Sequence, residues 1–378
     1  MQLRLVAPIA VTAVLLTACG GSKGTPQYGE PSGVPSPASV STVSSHSTRA
    51  TGNPQVSIDK VLATNLTSPW GLAFLPDGSA LVSERDTGRI KRIPARGGKA
   101  ATVGTVNGVR PGGEGGLLGI AVPPGDNPTF IFAYYTAASD NRVVKIAWNG
   151  KRLGKQTAIL TGIPKGSIHD GGRLLIGPDQ TLFVATGETG NRDLAQQKSS
   201  LAGKVLHIRF DGAPAPGNPF PGSPVYTLGH RNVQGLAFDS QGRVWASEFG
   251  EKDVDELNLL RAGGNYGWPL HEGASNDSAY VNPFVQWSPT STASPSGIAI
   301  VDDVAYVASL RGEVLWQVSL TGARAGHPRR LKLGDLGRLR NVVAAPDGTL
   351  WLTTGNTDGR GSPRAKDDRI IRLKITSG

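Results

Sequence analysis

A chain of 378 residues with 51 Gly, 27 Pro and 18% charged residues is neither a helical bundle nor a coiled coil, and 38% hydrophobic content suffices for a sizeable core. The net charge of +10 invites a polyanionic partner, yet Lys and Arg are scattered, the densest runs being Arg89-Ile90-Lys91-Arg92 and Pro328-Arg329-Arg330, with no nucleic-acid motif around them. Such a charge serves solubility or attraction to an anionic envelope surface, and no nucleic-acid partner is expected.

The chain opens with Met1-Gln2-Leu3-Arg4, an apolar stretch from Leu5 to Leu16, and Leu16-Thr17-Ala18-Cys19-Gly20. A short positive start, an apolar run and a small-residue cleavage pattern read as a signal peptide over residues 1–18. The pattern resembles the lipobox of bacterial lipoproteins, which implies an acylated Cys19 and an extracytoplasmic protein held to the cell envelope; the other reading is an ordinary signal peptide with an incidental Cys. Cys19 is the single cysteine, so neither a disulfide, a thiolate metal site nor a haem-attachment motif is available. Residues 19–55 are rich in Ser, Thr, Pro and Gly and cannot bury enough surface to offset their ordering entropy, so they read as a tether. The folded domain is expected over residues 56–378.

Along that domain a pattern recurs six times: a short apolar strand, a polar turn and a second apolar strand. The strand pairs are Gly71–Phe74 with Ala80–Glu84, Leu118–Val122 with Phe130–Tyr134, and Gly172–Ile176 with Leu182–Thr186. They continue with Gly235–Phe238 and Val244–Glu248, Gly297–Ile300 and Ala305–Ser309, and Asn341–Ala345 and Leu350–Thr354. Turns such as Pro76-Asp77-Gly78 and Pro346-Asp347-Gly348 join them: proline sets φ, Asp bonds its own backbone and Gly takes positive φ. A spacing of about 45 to 60 residues between turns is that of four-stranded blades. Third or fourth strands fit at Arg89–Ile93, Arg142–Ile146, Lys204–Ile208, Glu256–Leu260, Glu313–Val318 and Arg369–Leu373. The expected fold is all-β, a six-bladed β-propeller with four-stranded antiparallel blades.

Five polar stretches interrupt the repeat. They are Gly113-Glu114-Gly115-Gly116, Ile168-His169-Asp170-Gly171-Gly172-Arg173 leading to Gly187-Glu188-Thr189, Gly229-His230-Arg231-Asn232-Val233-Gln234-Gly235, Glu248-Phe249-Gly250-Glu251 leading to Gly263-Gly264-Asn265-Tyr266-Gly267-Trp268-Pro269, and Arg338-Leu339-Arg340-Asn341. In this order they resemble the soluble pyrroloquinoline quinone (PQQ)-dependent glucose/sorbosone, or aldose sugar, dehydrogenases, across residues 56 to 376. The resemblance implies a quinoprotein that oxidises an aldose at C1 to the lactone and passes electrons to an external acceptor. It implies His169 as the base that takes the C1 hydroxyl proton as hydride passes to the quinone, Glu188 as the acid orienting that base, and Arg231 beside them. For the tricarboxylate cofactor it implies Glu114, Arg231, Asn232, Arg311, Arg338 and Arg340, with Arg311 in the place of a Lys and Glu114 in the place of a Gln. It also implies a calcium ion (Ca2+) on the backbone carbonyls of Gly250 and Glu251, where relatives carry Gly-Pro.

Other residues stay open between roles. Asp253, Asp255 and Glu256 read as a second metal cluster or as solvated acids. Trp70 and Trp268 read as sugar-stacking or core side chains, and His230 as part of the motif or a support of the fold. Two rival functions remain beside the dehydrogenase. One is a non-catalytic propeller binding a glycan or protein partner, which cofactor binding would exclude. The other is a calcium-dependent lactonase-type hydrolase, which needs several acidic side chains from different blades converging on the metal.

Overall fold

The computed structural model describes residues 53–377; the leader, Cys19 and most of the tether lie outside the described residues. Among the described residues twenty-four strands form six four-stranded antiparallel sheets, with two short 3-10 turns as the helical content. Each sheet is a blade, and in five of the six the strands run outward in chain order. Blade 1 has Pro69–Phe74 innermost, then Ala80–Glu84, Arg89–Ile93 and Ala101–Thr105. Blades 2 to 5 begin at innermost strands Leu117–Ala121, Leu174–Gly177, Val233–Phe238 and Pro295–Val301.

Blade 6 is assembled from both ends of the domain. Leu339–Ala344, Leu350–Thr354 and Ile370–Thr376 are joined by Gln55–Ala63, in a register from Gln55↔Thr376 to Ala63↔Ile370. The repeat pattern shows three strands for this blade; the fourth comes from the start of the domain and closes the ring. Asp59 clasps the seam by accepting hydrogen bonds from Arg372 Nε at 2.6 Å and Lys374 Nζ at 2.8 Å.

The second strands Ala80–Glu84, Val244–Glu248 and Leu350–Thr354 are buried at every position. That explains why they lack a clean apolar/polar alternation: both faces of a blade pack on neighbours. The core is accordingly six apolar layers, each between adjacent blades. Leu81, Ile90 and Ile131 fill the layer between blades 1 and 2, and Tyr306, Leu339, Leu350 and Leu352 the layer between blades 5 and 6. Truncating one such Leu to Ala costs about 2–5 kcal/mol.

Antiparallel pairing puts the start of each innermost strand beside the end of the second strand, as in Pro69↔Glu84 and Val233↔Glu248. The Pro-Asp-Gly turns therefore lie on one face of the propeller. The segments holding Glu114, His169, Glu188, Arg231, Gly250, Arg311 and Arg338 all lie on the other. Among the described residues no helix is long and apolar enough to cross a membrane.

Candidate active site

On that second face a narrow cleft opens, lined by Trp70, Glu114, Asp170, Gln234, Arg338, Arg340 and Arg360 among others. His169 stands beside it in the segment leading into blade 3. Its backbone is left-handed, φ 58°, uncommon for a residue with a side chain. The conformation is fixed from three sides. The His169 N–H donates to Glu114 Oε2 at 2.8 Å, its carbonyl accepts from Thr189 N at 3.2 Å, and its ring Nδ1 pairs with Glu188 Oε1. Gly187 makes this approach possible, because a Cβ there would lie 2.0 Å from the His169 oxygen.

Glu188 is buried, and its Oε2 has no hydrogen-bond partner among the described residues. A carboxylate on Nδ1 takes the imidazole N–H there and leaves Nε2 as the free, proton-accepting nitrogen. The pair has the geometry of an oriented general base. Asp170, next in the chain, accepts from Asn141 Nδ2 at 2.8 Å and Gly166 N at 3.0 Å, while its Oδ2 is buried without a partner. Burial pushes the Asp170 carboxyl up to about 6.

The opposite wall is cationic. Arg338 forks onto Asp358 Oδ2 through Nε at 3.1 Å and Nη2 at 2.9 Å, and Arg340 reaches the same oxygen at 3.5 Å and Gln234 Oε1 at 3.2 Å. Burial works against the Asp358 carboxylate, but Arg340 and Arg338 hold it below the usual range. Arg173 has no acidic partner: its Nε donates to the Gln234 carbonyl at 2.8 Å, and its buried Nη2 is unpaired. Its guanidinium stacks on Trp70 at 4.3 Å, with Arg340 at 5.9 Å from the same ring. Burial pushes Arg173 down to about 9 and Arg340 down to about 10. One carboxylate shared by two arginines, plus a third arginine with none, leaves net positive charge in a desolvated channel. That fits an anionic ligand.

Arg231 and Asn232 are set by Glu248, whose Oε1 accepts from their backbone N–H groups at 2.5 and 3.3 Å. Arg231 Nε and Asn232 Nδ2 are buried donors without partners among the described residues. Burial pulls the Arg231 guanidinium below its usual range, against Glu188 and Glu251. His230 is wholly buried between Glu248 Oε2 at 2.8 Å and Thr227 Oγ1 at 2.8 Å, stacked on Tyr266, and serves the fold.

The Gly250–Val254 turn wraps around a carboxylate. Glu272 Oε1 accepts from the N–H groups of residues 251 to 254 at 2.6 to 3.3 Å, and Gly250 N donates to Asp255 Oδ1 at 2.9 Å. The Gly250 and Glu251 carbonyls accept no hydrogen bond among the described residues, so two oxygens of the type a hard cation takes are free. The Glu251 side chain turns to Arg192 at 3.1 Å.

Arg311 is exposed in the turn between the second and third strands of blade 5, on the same face as the cleft. Asp255 is occupied by Gly250 N and Ser294 N, Glu256 by Gly273 N and Asn258, and Asp253 is exposed. Among the described residues no three His, Cys, Asp or Glu side chains converge as metal ligands. Residues that motif reading did not assign, Arg173, Arg85, Gln234, Asp358 and Arg360, come from four separate segments. Arg173 and Gln234 carried a signal, their places at the ends of the His169 and Arg231 motifs.

The architecture and this site define a six-bladed propeller with an oriented imidazole beside an arginine-lined cleft. Residues 66–371 match the glucose/sorbosone dehydrogenase family, and the chain belongs to it. The solved PQQ-bound aldose sugar dehydrogenase of Streptomyces coelicolor is 49% identical, covers 86% of this chain and all of its own, and superposes with a TM-score of 0.82. Quinoprotein glucose dehydrogenase B of Acinetobacter calcoaceticus is 36% identical over 59% of this chain and 54% of its own length. Aldose sugar dehydrogenase YliI of Escherichia coli is 28% identical over 79% of this chain and 90% of its own.

Proposed function

We propose that this chain is a PQQ-dependent aldose sugar dehydrogenase, oxidising a sugar at its hemiacetal carbon to the lactone and passing the electrons to an external acceptor. The observation that carries the reading is the His169–Glu188 pair, with Nε2 free, at the rim of a cleft whose buried arginines exceed their carboxylate partners. The PQQ-bound state of the S. coelicolor relative supports the cofactor.

When bound, the quinone supplies the two-electron acceptor for hydride from the sugar C1. His169 Nε2 takes the proton from the C1 hydroxyl, so that the C1–O bond becomes a carbonyl as hydride leaves. The resulting imidazolium is stabilised by the buried Glu188 carboxylate across Nδ1. Arg338, Arg340 and Arg231 hold the cofactor carboxylates, their planar forks matching carboxylate geometry, with Asn232 Nδ2 as a further donor. The buried charge of Arg173 adds attraction from behind Trp70. The Gly250 and Glu251 carbonyls are assigned to calcium. Glu114 is neutralised by Arg360 at 3.0 Å, which removes its repulsion of an acidic ligand.

A calcium-dependent hydrolase is disfavoured by the lack, among the described residues, of convergent acidic ligands. The lipobox-like segment supports an extracytoplasmic, envelope-tethered enzyme anchored at Cys19, acting on a small sugar. The test is to add PQQ and calcium to purified apo-protein and follow dye reduction with a panel of aldoses. Saturable quinone dependence and a lactone product are expected. No quinone-dependent turnover with any aldose would overturn the reading.

A further inference from the structure

Glu114 lies in the connection between blades 1 and 2, and its two carboxylate oxygens face different partners. Oε2 accepts the His169 N–H at 2.8 Å, and Oε1 pairs with Arg360 Nη2 at 3.0 Å. Arg360 belongs to the loop before the last strand of blade 6, where its own N–H is held by Asp358 Oδ1 at 2.9 Å. Glu114, Arg360 and Asp358 all line the same cleft. The pair thus bridges loops of blades 2 and 6 across the cleft mouth. The Arg360 side chain is 60% exposed and Glu114 22%, so the ion pair itself contributes little. The bond to His169 is the one that matters.

A left-handed residue with a side chain persists only where its surroundings over-determine it. At His169 the carbonyl and ring contacts both come from the segment around Glu188, while the amide contact comes solely from Glu114. Without it, the peptide before His169 can rotate and carry the imidazole off the cleft.

We infer that Glu114 is a positioning residue for the catalytic base, fixing His169 through its backbone N–H, with Arg360 as its counter-ion, rather than a contact of the cofactor. This rests on His169 being the base, so the decisive readout is taken on apo-protein without turnover. In Glu114→Ala, the His169 amide should lose at least about tenfold of its hydrogen-exchange protection, and the Nδ1 proton resonance of the His169–Glu188 pair should broaden or vanish. Glu114→Gln keeps an acceptor oxygen and should preserve both signals. Arg360→Ala, which leaves the carboxylate on the amide, should preserve them as well.

With PQQ, calcium and an active sugar, Glu114→Ala should lower kcat about 10- to 100-fold at saturating cofactor, with KM changed less than about threefold, and Glu114→Gln should restore most of it. Unchanged amide protection and Nδ1 signal in a folded Glu114→Ala protein would overturn the inference. So would a variant whose sole defect is weaker quinone binding. If the apo signals change as expected but no variant or wild type turns over sugar, the positioning role stands and the dehydrogenase reading fails.

Discussion

Replacing Glu188 by Gln removes one charge from a buried pair while keeping the side chain's shape. The carboxylate is 1% exposed and its second oxygen bonds nothing, so the charge is spent on Nδ1 of His169. Losing a charge-assisted hydrogen bond costs about 1.5–3 kcal/mol, or about 10- to 150-fold in rate if the imidazolium forms in the transition state. An amide can also turn its NH2 toward Nδ1 and force the proton onto Nε2, where the base must be empty; the analogous change in a Ser-His-Asp triad costs about 10⁴-fold. Glu188→Gln is therefore expected to lower kcat between about 10- and 10⁴-fold. Quinone Kd should stay within about threefold, about 0.7 kcal/mol, because the Glu188 side chain hydrogen-bonds none of the arginines and its backbone bond to the Arg231 carbonyl survives the change. Stopped-flow dye reduction at saturating PQQ and calcium measures the first, and quinone titration the second. A kcat within about threefold of wild type would refute the orienting role of Glu188.

Arg173→Met removes a buried cation that has no carboxylate partner, and the apo-protein should melt at a higher temperature while quinone Kd rises about tenfold or more. An unchanged Kd in calorimetry would remove Arg173 from cofactor attraction. Gly250→Ala places a Cβ 1.8 Å from the Val254 carbonyl, so calcium-dependent quinone binding should be lost while far-UV circular dichroism stays that of the folded propeller; retained binding would move calcium elsewhere. Burial, with Glu248 adding, pushes Glu256 up to about 8, so the folded state holds its proton more tightly than the unfolded chain. That contribution to stability is complete below the unfolded value near 4.5 and is lost as pH rises through about 8. Glu256→Gln should flatten the fall in Tm between pH 6 and pH 9, and an identical pH dependence in both proteins would contradict this.

The fold was legible because its units are local. A Pro-Asp-Gly turn between two apolar runs needs no distant partner to be recognised, and Ala80–Glu84, Arg89–Ile93, Val244–Glu248 and Leu350–Thr354 have the expected bounds. The fourth strands were not legible, because edge segments such as Leu153–Ile163 are largely solvent-facing and mix Gly, Lys, Gln and Thr among their apolar residues without a regular period. Ring closure by Gln55–Ala63 is a pairing across about 315 residues, invisible to a repeat of about 50. In the site, His169, Glu188, Arg231, Arg338 and Arg340 stood out through motifs, and the structure gathers them at one face. Arg311 lies on the same face, exposed in its turn. Asp358 and Arg360 sit in a loop without a motif, and their roles follow from which arginine and which carboxylate the ring brings across from them.

The most direct measurement compares wild type and His169→Ala, each loaded with PQQ and calcium. His169 makes no bond to the cleft arginines, so both proteins should bind the quinone with Kd values within about threefold of each other. Wild type should then reduce dye with an aldose, and the variant should lose about 10²- to 10⁴-fold in kcat for want of its base. Equal turnover in the two, or no saturable quinone binding by either, would contradict a His169 base serving a quinone held in the arginine-lined cleft.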